Sequence, residues 1–171
     1  MKSFVKWTGI ILVTILIVAV FRGTYLDIPR QELEEKYALG ESKFVILTND
    51  SRIHYRDEGN AQGPAIVLLH GFNGSLFNFE RLVPLLVDDF RLVSIDLPAF
   101  GLTGAVPSAN YTTENFMNTV LEVTTQLGIK KFSIAGNSMG GHTAWRYVLQ
   151  YPDQIETLIL IAAGGVWTEE D

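Results

Sequence analysis

The feature that most restricts the fold is a glycine-bounded turn near the end of the chain. Residues 131–148 read KFSIAGNSMGGHTAWRYV. Residues 131–135 form a short apolar run of the kind found in buried strands. Residues 141–147 carry spacing that is compatible with a helix. The pattern therefore predicts a strand, a sharp turn with Ser138 at its tip, and then a helix.

Gly136 and Gly140 flank Ser138 in a G-x-S-x-G pattern, which between a strand and a helix is typical of a nucleophile elbow. Glycines tolerate the strained backbone there and let the strand and helix approach closely. A serine at this place sits at a helix N-terminus, whose dipole favours developing negative charge. The alternative is a glycine-rich connection in some other α/β domain.

Composition excludes several classes of function. The chain has 171 residues, which suits one domain with a proper core. Its net charge of −6, with no run of basic residues, argues against a nucleic-acid partner. The absence of Cys excludes disulfides and thiolate metal sites, and three His without an H-x-x-x-H pair argue against a metal centre.

The N-terminal segment is strongly apolar. Residues 7–21 are uncharged and lie between Lys6 and Arg22, a length between a signal-peptide core and a full membrane span. We expect residues 1–22 to be an uncleaved anchor whose residues 4–21 cross the membrane once, with the rest of the chain on the exported side. The alternatives are a cleaved signal, which would leave a secreted or periplasmic protein, and a buried helix.

After a connector at residues 23–42, strands and helices alternate through residues 43–171. A hairpin with its turn at Asn49, Asp50 and Ser51 comes first, and His54 within it is expected to be structural. The alternation predicts a three-layer α/β sandwich with a mainly parallel sheet. The predicted strands cover 44–47, 53–55, 65–70, 91–97, 131–135 and 156–163, and the predicted helices cover 76–87, 112–127 and 141–147.

Four stretches together resemble the α/β-hydrolase fold family. They are HGF at 70–72, DLPAFG at 96–101, GNSMGG at 136–141 and the strand near 157–163, and the likeness covers residues 44–165. GNSMGG is similar to the motif of membrane-associated lipases and esterases, and of carbon–carbon bond hydrolases. The resemblance implies a serine hydrolase that acts on a small-molecule ester, or on a related acyl or carbon–carbon substrate, without a cofactor.

The resemblance also implies roles for single residues. Ser138 matches the nucleophile, and the backbone N–H groups of Phe72 and Met139 match an oxyanion hole. The Phe72 side chain would shape the acyl pocket or pack in the core. His70 is expected to orient the loop that carries the Phe72 N–H, and Asp96 to fix the turn that follows its strand. The supporting residues of the predicted site are His70, Gly71, Asp96, Gly136 and Gly140.

The base and acid of a triad are missing from the pattern. In this family they follow the nucleophile along the chain. His142 is the only later His, and its place on the same helix as Ser138 favours a structural role. Glu169, Glu170 and Asp171 resemble the start of a cap segment.

The resemblance therefore implies the N-terminal part of a hydrolase, without its cap and C-terminal strands and inactive alone. The last strand would be an exposed apolar edge. The alternatives are a membrane-tethered, non-catalytic hydrolase-like domain and a truncated fragment. A dehalogenase or epoxide hydrolase is disfavoured, because those relatives carry Asp where Ser138 stands.

Overall fold

The computed structural model describes residues 2–23 and 28–165, with side chains from residue 7 onward. The chain divides into two units, residues 1–33 and residues 34–171. The first unit contains helix α1 (Lys2–Gly23) and the start of helix α2 (Arg30–Tyr37). The predicted connector thus includes α2, while residues 24–27 of it lie outside the described residues.

Helix α1 is apolar on every side. Its aliphatic side chains are exposed, as in Ile15 at 60% and Leu16 at 64%. Over the part of the chain that the structure describes, no helix is both long and apolar enough to cross a membrane. The predicted membrane-spanning helix therefore lacks support. Lys6 and Arg22 limit the uncharged stretch to residues 7–21, whereas a spanning helix needs about 20 apolar residues.

The second unit is built on a six-stranded sheet with the order β1-β2-β4-β3-β5-β6. Strands β3 to β6 are parallel, and β1 and β2 add an antiparallel hairpin at one edge. The predicted hairpin and the mainly parallel sheet are both confirmed. The strands are β1 (Ser42–Ile46), β2 (Arg52–Gly59), β3 (Ala65–Leu69), β4 (Arg91–Ile95), β5 (Phe132–Asn137) and β6 (Ile155–Ile161).

Side chains of the central strands alternate between two cores, because successive residues of a strand point to opposite faces. Val67 and Leu69 of β3 belong to the core that includes helices α3 (Thr113–Gln126) and α4 (Met139–Gln150). Ile66 and Leu68 belong to a smaller core on the other face. The sheet is therefore covered on both faces, as predicted for a three-layer sandwich.

The helix predicted over residues 76–87 is wrong. Two 3₁₀ turns, Leu76–Phe79 and Val83–Leu85, take its place. Pro84 explains the break, because it has no N–H to donate and its ring would clash with the carbonyl four residues earlier. Phe79 and Val83 still reach the smaller core, whereas Leu85 is 78% exposed.

Close contact between α4 and β3 generates a test of the fold. A Cβ at Gly140 would overlap the backbone carbonyl of Leu69, which cannot move aside. A Cβ at Gly128 would meet nothing within 4 Å, although its φ of +69° disfavours Ala. We expect Gly140→Ala to lower the free energy of unfolding by at least about 2 kcal/mol, even after the gain in helix propensity.

The matched Gly128→Ala variant should lose only about 1 kcal/mol, the cost of its left-handed backbone. Urea unfolding of both variants and the parent chain measures the difference. Equal losses would contradict the tight approach of α4 to β3.

Candidate active site

Ser138 occupies the turn between β5 and α4 in a strained conformation. Its φ is 49° and its ψ is −113°, a backbone state that costs a non-glycine residue about 1–3 kcal/mol. Its N–H donates to the Ile161 carbonyl at 3.1 Å, which ties the turn to the end of β6. The residue is exposed, and its hydroxyl makes no capping hydrogen bond to α4. The hydroxyl is therefore available to an incoming molecule.

The two glycines around Ser138 are required by backbone contacts. A Cβ at Gly136 would overlap the carbonyl of Gly140, and a Cβ at Gly140 would overlap the carbonyl of Leu69. The start of α4 thus lies directly on the carboxyl ends of β3 and β5. This close approach gives the G-x-S-x-G spacing a physical cause.

The loop after β3 runs beside Ser138. A Cβ at Gly71 would come within 3.2 Å of the Ser138 Cβ and 2.8 Å of the Asn137 Oδ1. Phe72 follows Gly71 in this loop, and Met139 is the first residue of α4. Among the described residues, neither of their backbone N–H groups has a hydrogen-bond acceptor. Their assignment as an oxyanion hole stays a prediction, with which this arrangement is compatible.

The Phe72 side chain does not enter the core. It is 71% exposed, and its ring packs edge-on against Phe100 with centroids 5.6 Å apart. Phe100 in turn packs edge-on against His70 at 5.4 Å. The expectation of core packing for Phe72 is therefore wrong, and its role in shaping an acyl pocket stays a prediction.

His70 joins the loop to the end of β4. It is fully buried, with Nδ1 2.8 Å from the Gly71 carbonyl and Nε2 3.1 Å from the Leu97 nitrogen. Because the Leu97 N–H must donate to Nε2, the proton of the neutral ring lies on Nδ1 and is donated to Gly71. Burial lowers the pKa of His70, and the Gly71 carbonyl and Asp96 only partly oppose this effect.

Asp96 is fully buried directly after β4. Its Oδ2 accepts the Leu102 N–H at 2.8 Å, within the turn that the sequence assigned to it. Its Oδ1 accepts the Leu76 N–H at 2.7 Å, and its Oδ2 lies 2.7 Å from His54 Nδ1. A Cβ at Gly101 would overlap this carboxylate. Asp96 therefore organises more of the site than one turn.

Sequence reasoning missed the partnership between Asp96 and His54. The partnership follows from the strand register, which only the folded sheet shows. Strands β2 and β4 are antiparallel, with Tyr55 opposite Ile95. One further step along both strands brings His54 opposite Asp96. That pairing order could not be read from a single sequence, in which the two residues are 42 positions apart.

Asn137 was also missed. Its side-chain Nδ2 donates to the Ile161 carbonyl at 3.1 Å, the same oxygen that accepts the Ser138 N–H. A polar residue next to the candidate nucleophile, inside the GNSMGG stretch, was the available signal. Asn137 and Ser138 together bind the turn to β6.

His142 contacts the segment after β6 and its own helix. Its Nδ1 lies 3.3 Å from the Gly165 carbonyl, and its ring packs edge-on against Trp145 at 5.0 Å. Over residues 28–165, no imidazole or carboxylate hydrogen-bonds the Ser138 hydroxyl, and over the described residues no cluster of His, Asp and Glu could hold a metal ion. Glu169, Glu170 and Asp171 lie outside the described residues.

The lowered pKa of His70 predicts how stability depends on pH. The unfolded chain takes up a proton at the ordinary histidine pKa, before the folded chain does, so acid favours unfolding. The free energy of unfolding should therefore fall as pH drops below about 6.5, by up to about 1.4 kcal/mol per pH unit from this one group.

Denaturant unfolding between about pH 8 and about pH 5 measures this dependence, with His70→Gln as the comparison. The variant should be less stable at every pH and should lack this part of the acid-induced loss. Parallel curves for the two proteins would show that His70 is not held neutral by the fold.

Comparison with known proteins agrees with this geometry. A family model described as the alpha/beta hydrolase fold matches residues 64–171. Lipase 1 of Psychrobacter immobilis is 31% identical over 129 residues, which are 75% of this chain and 40% of that lipase. A 2-hydroxy-6-oxononadienedioate/2-hydroxy-6-oxononatrienedioate hydrolase of Burkholderia vietnamiensis (strain G4 / LMG 22486) is 32% identical over 130 residues, 72% of this chain and 45% of that enzyme.

A solved structure of a membrane phospholipase A, a bacterial virulence factor, superposes with a TM-score of 0.66 and 28% identity. That match covers 99% of this chain and 54% of the phospholipase chain. The chain thus spans less than half the length of the two curated relatives. On the family match and the sheet that carries Ser138, the chain belongs to the alpha/beta hydrolase fold family.

Proposed function

We propose that the protein hydrolyses a carboxylic ester through Ser138, as a lipase-like or esterase-like enzyme. Ser138 Oγ attacks the ester carbonyl while its proton passes to a base, and the backbone N–H groups of Phe72 and Met139 stabilise the oxyanion. The intermediate expels the alcohol, which takes up a proton, and leaves an acyl group on Ser138. Water then releases the acid and restores the hydroxyl.

The observation that carries this proposal is the strained, exposed Ser138 at the start of α4, beside a loop whose Phe72 N–H has no acceptor among the described residues. Each well-aimed backbone donor of an oxyanion hole lowers the barrier by about 3–4 kcal/mol. The relatives named as a lipase and a phospholipase support an ester substrate. The relative that acts on 2-hydroxy-6-oxononadienedioate supports a carbon–carbon substrate as the second candidate.

In this proposal the base for Ser138 is none of the described histidines. His54 and His70 are fully buried and hydrogen-bonded elsewhere, and His142 contacts Gly165 and Trp145. The same observation favours one alternative function, a hydrolase-like domain that binds a ligand without turning it over. The two functions differ in whether Ser138 reacts.

A fluorophosphonate probe distinguishes the two functions. We expect one adduct at Ser138, located by mass spectrometry, which forms slowly and is accelerated by imidazole added as a substitute base. Ser138→Ala should abolish the adduct, and Ser108→Ala, at another exposed serine, should leave it unchanged. Rapid ester turnover without imidazole, lost in Ser138→Ala, would show that a base is already present. A folded chain that gives no adduct with imidazole would support the non-catalytic alternative.

We also propose that residues 4–21 hold the domain at a membrane, with the hydrolase-like domain on the exported side. A helix that is apolar all round needs an apolar environment, which lipid provides. The exposed aliphatic side chains of α1 support this proposal, as does the likeness to a membrane phospholipase A along 99% of this chain.

Flotation of the full chain with lipid vesicles tests the membrane proposal. Leu16→Glu should shift the partition towards water by about a hundredfold, because a charge in the apolar stretch costs about 3 kcal/mol. Leu149→Glu is the matched control, since Leu149 of α4 is also largely exposed, at 73% against 64% for Leu16. Equal loss of flotation in both variants, or in neither, would contradict a role for residues 4–21.

A further inference from the structure

The loop of residues 70–76, here called the oxyanion loop, is clamped at both ends by two consecutive residues after β4. At its start, His70 Nε2 accepts the Leu97 N–H at 3.1 Å. At its end, the Leu76 N–H donates to Asp96 Oδ1 at 2.7 Å. Phe72 lies between these two clamps, so the position of its N–H depends on both of them.

Inside the oxyanion loop, the Ser75 N–H donates to Asn78 Oδ1 at 3.2 Å, which holds the last turn but leaves Phe72 to the two clamps and to its own turn. The Gly71 carbonyl accepts the Gly74 N–H at 3.0 Å and the His70 Nδ1–H at 2.8 Å, which forms a tight turn around Phe72. The Phe72 side chain itself is 71% exposed.

His54 controls the orientation of the second clamp. The Asp96 carboxylate accepts backbone N–H groups at both oxygens, so His54 Nδ1 carries the proton and donates to Oδ2 at 2.7 Å. With Oδ2 held by His54 and Leu102, the carboxylate plane is fixed and Oδ1 points at the Leu76 N–H. Without His54, one backbone donor alone would hold Oδ2.

The backbone around His54 is equally well anchored. Its carbonyl accepts the Asp96 N–H at 3.0 Å, and its N–H donates to Thr103 Oγ1 at 2.9 Å. Thr103 Oγ1 donates onward to the Asp96 carbonyl at 2.7 Å. The His54 ring is fully buried and packs against Phe44 with centroids 5.0 Å apart. The imidazole is thus a rigid part of the sheet.

We propose that His54 is a positioning residue for the oxyanion hole, which acts through Asp96 and Leu76 on the backbone N–H of Phe72. The catalytic part of this proposal, an effect of His54 on the reaction at Ser138, rests on the proposed function. The structural part, in which His54 fixes the oxyanion loop, does not depend on catalysis.

Amide hydrogen exchange of the full chain tests the structural part. His54→Leu removes the donor to Asp96, and we expect the Leu76 amide to exchange about tenfold faster, relative to global stability. His54→Asn keeps a donor near the place of Nδ1 and should restore most of the protection. Ile53→Ala is the control, because Ile53 is the buried neighbour of His54 in β2. Its side chain lies in the core that includes α3 and α4. An Ile53→Ala effect on Leu76 as large as that of His54→Leu would overturn the proposal.

Fluorophosphonate reaction in the presence of imidazole tests the catalytic part. His54→Leu should slow the bonding step at Ser138 by about tenfold with little change in the half-saturating probe concentration, and His54→Asn should recover the rate. An unchanged rate with faster Leu76 exchange would overturn the positioning role in catalysis. If the parent chain forms no adduct, the proposed function fails, and the exchange result alone decides whether His54 positions the loop.

Discussion

The structure of the site depends on one steric constraint, the contact of α4 with the carboxyl ends of β3 and β5. Gly136 and Gly140 touch backbone where any side chain would overlap. This contact forces the connection into the fewest possible residues, and Ser138 takes a positive φ as a result. The strain is held by the Ile161 carbonyl and by the two layers of apolar side chains that cover the sheet. A helix placed farther from the sheet would relax Ser138 and withdraw its hydroxyl.

Much of the fold follows from local sequence pattern. The continuous apolar run over residues 65–70 predicted a buried strand, and Ala65–Leu69 is buried along its whole length. The Asn-Asp-Ser turn predicted the hairpin of β1 and β2. Thr112 or Thr113 was expected to cap α3, and Thr112 is the cap, since its side chain accepts the Asn115 N–H. The failure came over residues 76–87, where the apolar spacing of a helix is present but Pro84 prevents one. The spacing of apolar residues indicates which side chains are buried. Whether the backbone forms an α-helix there depends on Pro84.

In the candidate site, too, some residues could be predicted from local sequence and others could not. Ser138, His70 and Asp96 stand in compact motifs, so the sequence pointed to them directly. The link from His54 to Asp96 depends on strand register, and the engagement of His142 with Gly165 depends on how the chain returns after β6. Such contacts join distant positions through tertiary structure, and no local pattern carries them. The most informative part of this site is therefore its supporting hydrogen bonds, which give each motif residue a measurable function.

The shared acceptor at Ile161 has a mechanical consequence. One carbonyl at the end of β6 holds both the Ser138 N–H and the Asn137 side chain, and β6 is the outermost strand of the described sheet. No strand of the described sheet pairs with its outer side, and Ile159, Leu160 and Ile161 are 40–48% exposed. Any strand that paired there would stiffen the Ile161 peptide group and, through that single oxygen, tune the reactivity of the serine.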